Sequence, residues 1–260
     1  MGNGTAPVVV LLHGGGLNAH TWDRVCLALR SRYPCLAVDL RGHGDSEWSP
    51  EADYSLDAHR QDLEGFVGEL ALSRFALVGH SLGAFVGLHY AARHPEALAG
   101  YVAVDATPFV RDGSAAKGIV DFMLGRDAFV GIDDAVDYAG SFNPERDPRG
   151  LRRGLEHSLR KRPDGRWTWK HDRRYLSPAG FEALVSAIRG LLPEARAITC
   201  PTLVVRGGRS PGVSADEAGD FAAVVARGRT VVVDDAGHNV QSDNPAGLAE
   251  ALDAFLGALR

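Results

Sequence analysis

Residues 75–83 have the sequence FALVGHSLG, and this stretch decides the predicted fold. Its first four residues form an uninterrupted apolar run, which is typical of a strand buried on both faces of a sheet. Residues 82–93 have the pattern of an amphipathic helix. A G-x-S-x-G motif between a strand and a helix predicts a sharp turn, because side chains at the two glycine positions would collide there. We expect this turn to hold the hydroxyl of Ser81 out over the edge of the sheet.

Five further short runs along the chain are continuously apolar rather than alternating. They are Val8–Leu12, Cys35–Val38, Tyr101–Val104, Thr202–Arg206 and Thr230–Val233. Amphipathic patterns between these runs predict helices at Thr21–Ser31, Leu56–Leu70, Ser214–Arg227 and Pro245–Leu259. The alternation of buried strands with helices predicts an α/β fold, in which a mostly parallel central sheet has helices on both faces.

The interval between Val104 and Thr202 interrupts this alternation, because it has helical patterns and no buried strand signature. We therefore predict an inserted helical cap at residues 109–198, which divides the core into residues 1–108 and 199–260. The helices expected in this cap are Ser114–Leu124, Asp133–Tyr138, Leu151–Arg160 and Ala179–Leu191.

Two properties of the cap leave alternatives open. Its aromatic side chains either line a substrate pocket or pack against other apolar groups. They include Phe122, Phe129, Phe142, Trp167 and Trp169. Residues 149–174 contain ten Lys or Arg against three acids. This excess either attracts an anionic substrate or forms a solvated helical surface.

The composition excludes several classes of protein. The net charge of −5 over 260 residues argues against general binding of nucleic acids. There is no apolar run of about 18 residues and no signal-peptide pattern, so we expect no membrane association. Three cysteines are too few for a disulfide framework, so we expect a reducing, cytoplasmic location. Neither H-x-x-x-H nor C-x-x-C occurs, so we predict no metal site.

Three more motifs follow predicted strands: HGGG at residues 13–16, DLRGHGDS at 39–46 and AGH at 236–238. In this order, together with the turn at Ser81, they resemble the α/β-hydrolase fold family in its serine-nucleophile branch of esterase- and lactonase-like enzymes. Members usually carry an antiparallel hairpin before the first parallel strand. The first run here begins seven residues after Met1. We therefore expect that hairpin to be missing or short, and a sheet of about six strands.

The resemblance implies a catalytic triad that includes Ser81 and His238. Ser81 would be the nucleophile, and His238 would be the base that activates it and the acid that protonates the leaving group. The backbone N–H groups of Gly15 and Leu82 would form the oxyanion hole.

Other polar residues near these motifs are expected to be structural. His13 ends the first strand, and Asp39 and His43 belong to the turn after the second strand. His80 is expected to pack or to form a local hydrogen bond.

The acid of the triad has two candidates. Many members place it after the strand that corresponds to Thr202–Arg206, where this sequence has Ser210 and no carboxylate before Asp216. Some members place it after the strand that follows the nucleophile turn, and Asp105 has that position. Neighbouring parallel strands present side chains at the same sheet edge, so either position could serve one histidine. We favour Asp105, and we expect its carboxylate within hydrogen-bond reach of His238.

The resemblance implies a hydrolase without cofactor or metal. It would cleave a carboxylic ester, lactone or thioester of a small molecule through an acyl-enzyme. A serine nucleophile excludes the chemistry of epoxide hydrolases and dehalogenases, which need an aspartate. Hydrolysis of C–C bonds and perhydrolysis stay open because they use the same triad, and a ligand receptor with a slow triad is the alternative from another class. The sequence leaves the oligomeric state open.

Overall fold

The computed structural model describes residues 6–109, 114–142 and 146–259. Its strands are β1 (Val9–Leu12), β2 (Cys35–Val38), β3 (Phe75–His80), β4 (Leu98–Val104), β5 (Ala128–Phe129), β6 (Leu159–Lys161), β7 (Trp167–Trp169), β8 (Thr202–Gly207) and β9 (Gly228–Val233). Its α-helices are α1 (Asp23–Leu29), α2 (Leu56–Glu69), α3 (Leu82–Arg93), α4 (Ser114–Leu124), α5 (Ile132–Phe142), α6 (Pro148–Ser158), α7 (Pro178–Ala195), α8 (Ala215–Val224), α9 (Val240–Asp243) and α10 (Pro245–Gly257). Two 3-10 turns lie at Ala19–Trp22 and Arg173–Leu176.

Six strands form one parallel sheet in the order β2-β1-β3-β4-β8-β9. The register of β3 and β4 pairs His80 with Val104. Ser81 and Asp105 directly follow these two strands. They therefore lie side by side at the carboxyl ends of the parallel strands, which we call the sheet edge. The predicted six-stranded sheet is confirmed, and no antiparallel strand joins it among the residues that the structure describes.

Helices cover both faces of this sheet, as predicted. Because successive side chains of a strand point to opposite faces, Val10 and Leu12 of β1 pack in the cluster that includes side chains of α2, α3 and α8. Val9 and Leu11 pack in a second cluster with side chains of α1 and α10. Each fully buried Val or Leu contributes roughly 1.5–3 kcal/mol, so the central strands are held from both sides.

The edge strands depart from the prediction that every strand is buried on both faces. The central strands β1, β3 and β4 are buried along their whole length. In contrast, β2 and β9 consist mostly of partly buried and exposed residues, and Val232 is 49% exposed. Each edge strand has a neighbour on one side only, and the covering helices leave part of its surface open.

The predicted helices are present, with ends that shift by a few residues. Helix α7 lies within the predicted cap, yet its side chains Ile188 and Leu191 belong to the same apolar cluster as Leu88 of α3. This helix therefore packs on the core. No helix in the described ranges has the length and apolarity needed to span a membrane.

The segment between β4 and β8 contains a small sheet beside its helices, and the sequence analysis did not predict these strands. Strands β5, β7 and β6 pair antiparallel in that order. Each is two or three residues long, which is too short to produce a recognisable alternation in sequence. The helix predicted to reach Arg160 ends at Ser158, where β6 begins.

The aromatic residues of the cap pack against one another. Phe129 and Trp169 are buried, and their ring centroids lie 5.3 Å apart in an edge-to-face arrangement. Phe122 stacks on Tyr138 with a centroid separation of 5.4 Å. Phe142 closes the cluster at the surface and is 48% exposed. Of the two alternatives for these residues, packing is the one found.

Candidate active site

Ser81 lies in the sharp turn predicted between β3 and α3. Its φ of 50° and ψ of −115° are a strained conformation for a residue with a side chain. A Cβ atom at position 79 would collide with the carbonyl oxygen of Gly83, and one at position 83 would lie 2.5 Å from the carbonyl oxygen of Leu12. Both glycines are therefore required by close backbone contacts, and the turn leaves Ser81 half-buried at the sheet edge.

Asp105 and His238 lie together at the same edge, as expected. An Asp105 carboxylate oxygen, Oδ2, is 2.8 Å from His238 Nδ1. Asp105 is only 2% exposed, and it has a φ of 50° directly after β4. With Nδ1 donating to the carboxylate, Nε2 is the ring nitrogen left to accept a proton. Asp216, the alternative acid, is exposed in the first turn of α8.

Ser210 is a further part of this network to which the sequence analysis assigned no role. Its hydroxyl donates to Asp105 Oδ2 at 2.5 Å, the oxygen that also binds His238. The N–H of Gly207 donates to Asp105 Oδ1 at 2.9 Å, and the N–H of Gly212 donates to Ser210 Oγ at 3.1 Å. The loop after β8 thus supplies hydrogen-bond donors to an acid that comes from β4.

His80 is buried and packs against His238, which was one of the two alternatives expected, and its hydrogen bonds are long-range rather than local. Its Nε2 donates to the backbone oxygen of His238 at 2.8 Å, and its Nδ1 lies 3.3 Å from Nε2 of Gln241. Burial, aided by the nearby His238, holds the pKa of His80 well below its ordinary value. The ring is therefore neutral, with the tautomer that both partners require, and it holds the backbone of His238 beside the nucleophile turn.

The loop at residues 13–16 lies against the same turn. The N–H of Gly83 donates to the carbonyl oxygen of His13 at 3.1 Å. A Cβ atom at position 14 would lie 2.6 Å from Nδ1 of His80, so only glycine fits there. Leu82 is the first residue of α3, so its N–H has no acceptor within the helix. The donors predicted for an oxyanion hole therefore lie on two backbone segments that are bonded to each other.

His13 is buried and has two structural hydrogen bonds. Its Nδ1 donates to the carbonyl oxygen of Gly14 at 2.8 Å, and its Nε2 accepts from the N–H of Leu40 at 3.0 Å. Burial and the neighbouring His43 hold the pKa of His13 well below its ordinary value. Both ring nitrogens are used, which agrees with the structural role expected for this residue.

Asp39 organises the turn at residues 39–46. Its Oδ1 accepts from the N–H of Ala19 at 2.6 Å, and its Oδ2 accepts from the N–H of Asp45 at 2.9 Å. His43 in the same turn is buried, which lowers its pKa to about 4. These contacts agree with structural roles for both residues.

Comparisons with known proteins agree with this geometry. A family model for the alpha/beta hydrolase fold matches residues 7–245. The chain belongs to the α/β-hydrolase fold family. It is 36% identical to esterase Rv0045c of Mycobacterium tuberculosis over 97% of this chain and 84% of that relative. A solved structure of that esterase, described with its inhibition by transition metals, superposes with a TM-score of 0.82, at 35% identity over 98% of this chain and 86% of the other.

A second relative of this α/β-hydrolase acts on a different kind of molecule. The 2-(acetamidomethylene)succinate hydrolase of Mesorhizobium japonicum is 29% identical over 98% of this chain and 90% of the relative. A crystal structure of E-2-(acetamidomethylene)succinate hydrolase gives a TM-score of 0.84, at 28% identity over 98% of this chain and 92% of that one. Together with the similarity to the esterase, this relationship shows that the chain is an α/β-hydrolase enzyme.

Tyr175 brings the cap segment of the hydrolase to the glycine loop, and the sequence analysis did not identify it. Its hydroxyl lies 3.3 Å from the position that a Cβ of residue 15 would occupy. Burial raises the pKa of Tyr175, and a hydrogen bond from the N–H of Gly16 opposes the rise. Nε2 of His43 lies 3.4 Å from the same hydroxyl. Tyr175 therefore restrains the loop that carries a predicted oxyanion donor.

The basic residues of the cap lie mainly outside this site. Six of the ten in residues 149–174 are paired with acids: Arg149–Asp147, Arg152–Asp133, Arg162–Asp164, Lys170–Asp45, Arg173–Asp127 and Arg174–Asp172. A groove of about 750 Å³ is lined by Arg160, Lys161 and Trp48, and its described lining does not include Ser81 or His238. Most of these basic residues are thus paired with acids, and the triad candidates do not line the groove that Arg160 and Lys161 line.

Proposed function

We propose that this α/β-hydrolase is a serine hydrolase with Ser81 as nucleophile, His238 as base and Asp105 as the triad acid. The observation that carries the proposal is the 2.8 Å hydrogen bond between Asp105 and His238 at the sheet edge where Ser81 turns outward. A buried carboxylate on Nδ1 orients the ring and stabilises the imidazolium that forms during reaction.

The reaction starts when Ser81 Oγ attacks the carbonyl carbon of an ester and its proton passes to Nε2 of His238. The developing oxyanion accepts hydrogen bonds from the N–H groups of Gly15 and Leu82, and each such donor contributes roughly 10²–10³ in rate. The tetrahedral intermediate collapses to an acyl-Ser81, and His238 gives its proton to the departing alcohol. Water then attacks the acyl-enzyme and gives a proton to His238; the bond to Ser81 Oγ breaks, the acid departs, and His238 returns the proton to Ser81.

We propose a carboxylic ester, lactone or thioester with an uncharged acyl group as the substrate class. Two side chains from the cap segment reach the glycine loop, Tyr175 at Gly15 and Met123 at Gly16. Neither carries a charge, and Met123 is buried. Neither Tyr175 nor Met123 lines the basic groove that Arg160 and Lys161 line. The identity with the mycobacterial esterase supports the same class.

The 2-(acetamidomethylene)succinate hydrolase supports a second candidate, cleavage of an acylated nitrogen in a dicarboxylic acid. The same triad could perform this reaction, but it needs cations near the acyl site. The pairing of most cap cations with acids favours the ester over this candidate.

The experiment is a substrate panel combined with active-site labelling. p-Nitrophenyl butyrate, a short lactone, a thioester and an N-acyl dicarboxylate are compared by kcat/KM. A fluorophosphonate should label wild type once, on Ser81, and should not label Ser81→Ala, which should lose on the order of 10⁴-fold or more in kcat with an unchanged Tm. Turnover by Ser81→Ala near the wild-type rate would exclude the serine mechanism, and a preference for the N-acyl dicarboxylate would replace the ester assignment.

A further inference from the structure

Three potential metal ligands meet at the surface between the core and the cap segment. His20 lies in the 3-10 turn Ala19–Trp22, and Asp23 begins α1. His157 comes from α6, more than a hundred residues later in the chain. One ligand atom from each of the three lies within 4.8 Å of the others. Each residue type binds transition metals, through an imidazole nitrogen or a carboxylate oxygen.

The three side chains are already close to a common point. His20 Nδ1 is 3.1 Å from Asp23 Oδ2. The rings of His20 and His157 stack with centroids 3.7 Å apart and planes inclined by 19°. Imidazole binds a metal ion through a nitrogen in the plane of its ring, so these stacked rings must turn before one nitrogen of each can face a common ion.

A hydrogen bond next to the cluster holds its two halves in place. Asn18 Nδ2 donates to Ser158 Oγ at 3.0 Å, and Asn18 is only 5% exposed. The Asn18 side chain also accepts from the N–H of His20 at 3.0 Å. Residues adjacent to both histidines are thus joined by one polar contact, which reduces the entropy that the two segments lose when their side chains bind one ion.

The ligand set suits a divalent transition metal of the zinc type. Zn–N bonds of roughly 2.0–2.1 Å at tetrahedral angles require ligand atoms about 3.3 Å apart. The exposed fractions of the His20 and Asp23 side chains are 49% and 55%, so both can rotate to close the remaining distance. Two imidazoles and one carboxylate leave a fourth position for water.

Asp45 is a second carboxylate in the surroundings. Its hydrogen bond from Lys170 lowers its pKa, and the nearby His20 and His157 contribute in the same direction. Lys170 Nζ lies 2.7 Å from Asp45 Oδ1, so Lys170 competes with any cation for this carboxylate. Lys170 therefore compensates the charge of Asp45, and the site does not require Asp45 as a ligand.

We propose that His20, Asp23 and His157 bind one divalent transition-metal ion, which ties the turn Ala19–Trp22 of the core to helix α6. The sequence analysis predicted no metal site because no paired motif occurs along the chain. Here His157 is distant in sequence from the other two ligands, and only the tertiary structure brings it to them. Such an ion binds the folded chain and not the unfolded one, so it stabilises the fold by mass action.

The experiment titrates Zn²⁺ into the full chain after treatment with a chelator, by calorimetry and by thermal unfolding. Wild type should bind one equivalent through this site, and Tm should rise by roughly 5 °C or more when free Zn²⁺ is about 100-fold above Kd. Both effects should disappear in His157→Ala and in His20→Ala. Co²⁺ should give a visible absorption band with wild type that His157→Ala lacks.

Control variants separate this site from other groups that bind zinc. His94→Ala removes a histidine that pairs with Glu64 outside the cluster, and Cys35→Ser removes a partly buried free thiol. His238→Ala removes the proposed catalytic base. All three should keep the Zn²⁺-dependent rise in Tm. Equal stoichiometry and equal Tm rises in wild type and His157→Ala would overturn the proposal, as would loss of the rise in His238→Ala alone.

Discussion

The sheet edge and the cap segment contribute to the site in different ways. At the sheet edge, Ser81 and Asp105 each follow a strand, and each has a φ of 50°. Their backbone N–H groups extend the hydrogen bonding of the sheet. Ser81 donates to the carbonyl oxygen of Val104, and Asp105 donates to that of Val205. In the cap segment, Tyr175 depends on a contact with a loop far away in the sequence. The sheet determines positions through its own backbone, whereas the cap determines them through side-chain contacts.

The conformations of Ser81 and Asp105 at the sheet edge cost free energy. A residue in a left-handed conformation costs roughly 1–3 kcal/mol, which the surrounding structure must offset. Strands β3 and β4 are buried along their whole length, so they can hold two such residues. Changes at the sheet edge should therefore alter chemistry and leave the fold intact, while changes in the cap should have smaller effects on catalysis.

We expect the largest effect on kcat from a change at the sheet edge, in the proposed triad acid Asp105. Asp105→Asn should lose up to roughly 10⁴-fold in kcat, because the amide favours the wrong histidine tautomer and cannot stabilise the imidazolium. Asp216→Asn is the matched control and should keep most of its activity, since this residue is exposed on α8. The measurement is kcat with p-nitrophenyl butyrate, alongside Tm. A greater loss in Asp216→Asn would reverse the assignment of the acid.

The next effect tests whether the cap acts on the glycine loop. Tyr175→Phe removes the hydroxyl that is bonded to Gly16, and we expect kcat to fall about tenfold, the value of one hydrogen bond of about 1–1.5 kcal/mol. KM should change less than kcat, since the loop is proposed to stabilise the transition state. Tyr138→Phe is the control, because its hydroxyl donates to the carbonyl oxygen of Phe122 within the aromatic cluster. Equal losses in both variants would assign Tyr175 a purely structural role.

A stability measurement tests the contact between the cap and the core through a buried histidine. Burial lowers the pKa of His171 to about 3, and neither of its ring nitrogens has a hydrogen-bond partner. Its neutral form therefore stabilises the fold above pH ~6.5, and this stability is lost as the pH falls towards 3, because the unfolded chain binds the proton more tightly. His171→Phe should weaken the decline in unfolding free energy by up to about 1.4 kcal/mol per pH unit. Urea unfolding of wild type and His171→Phe at pH 7 and pH 5 gives the change in unfolding free energy for each protein. Equal decreases in the two proteins would contradict the prediction.

The smallest expected effect concerns the basic groove. Arg160 lies 4.7 Å from the ring centroid of Trp48, and the groove lining does not include the triad candidates. Arg160→Gln should leave kcat/KM unchanged within about twofold for neutral esters and for anionic ones. Both substrates should respond alike to salt between about 0.01 and 0.3 M, a range over which exposed charges are increasingly screened. A selective loss of kcat/KM with anionic esters would show that the groove binds substrate. The cap would then affect catalysis more than we expect from its contacts.

Much of the site could be predicted because its requirements are local. The glycines at 79 and 83 are needed by a turn of a few residues, and apolar runs of four or five residues identify the buried strands. The predictions failed where the signal was short or distant. The strands β5 to β7 are too short for a pattern, and the exposure of β2 and β9 depends on their position in the strand order.

The sequence by itself determined the parallel sheet, the turn at Ser81 and two candidate positions for the acid, because backbone sterics and burial act over neighbouring residues. Only the tertiary structure shows that Asp105 lies beside His238 while Asp216 is exposed on α8, because the position of Asp105 depends on β4 and β8 pairing in register across about a hundred intervening residues. The same pairing places Ser210 on the Asp105 carboxylate. Contacts between distant segments likewise placed His157 beside His20, since no local pattern records which surfaces of the cap and core will meet.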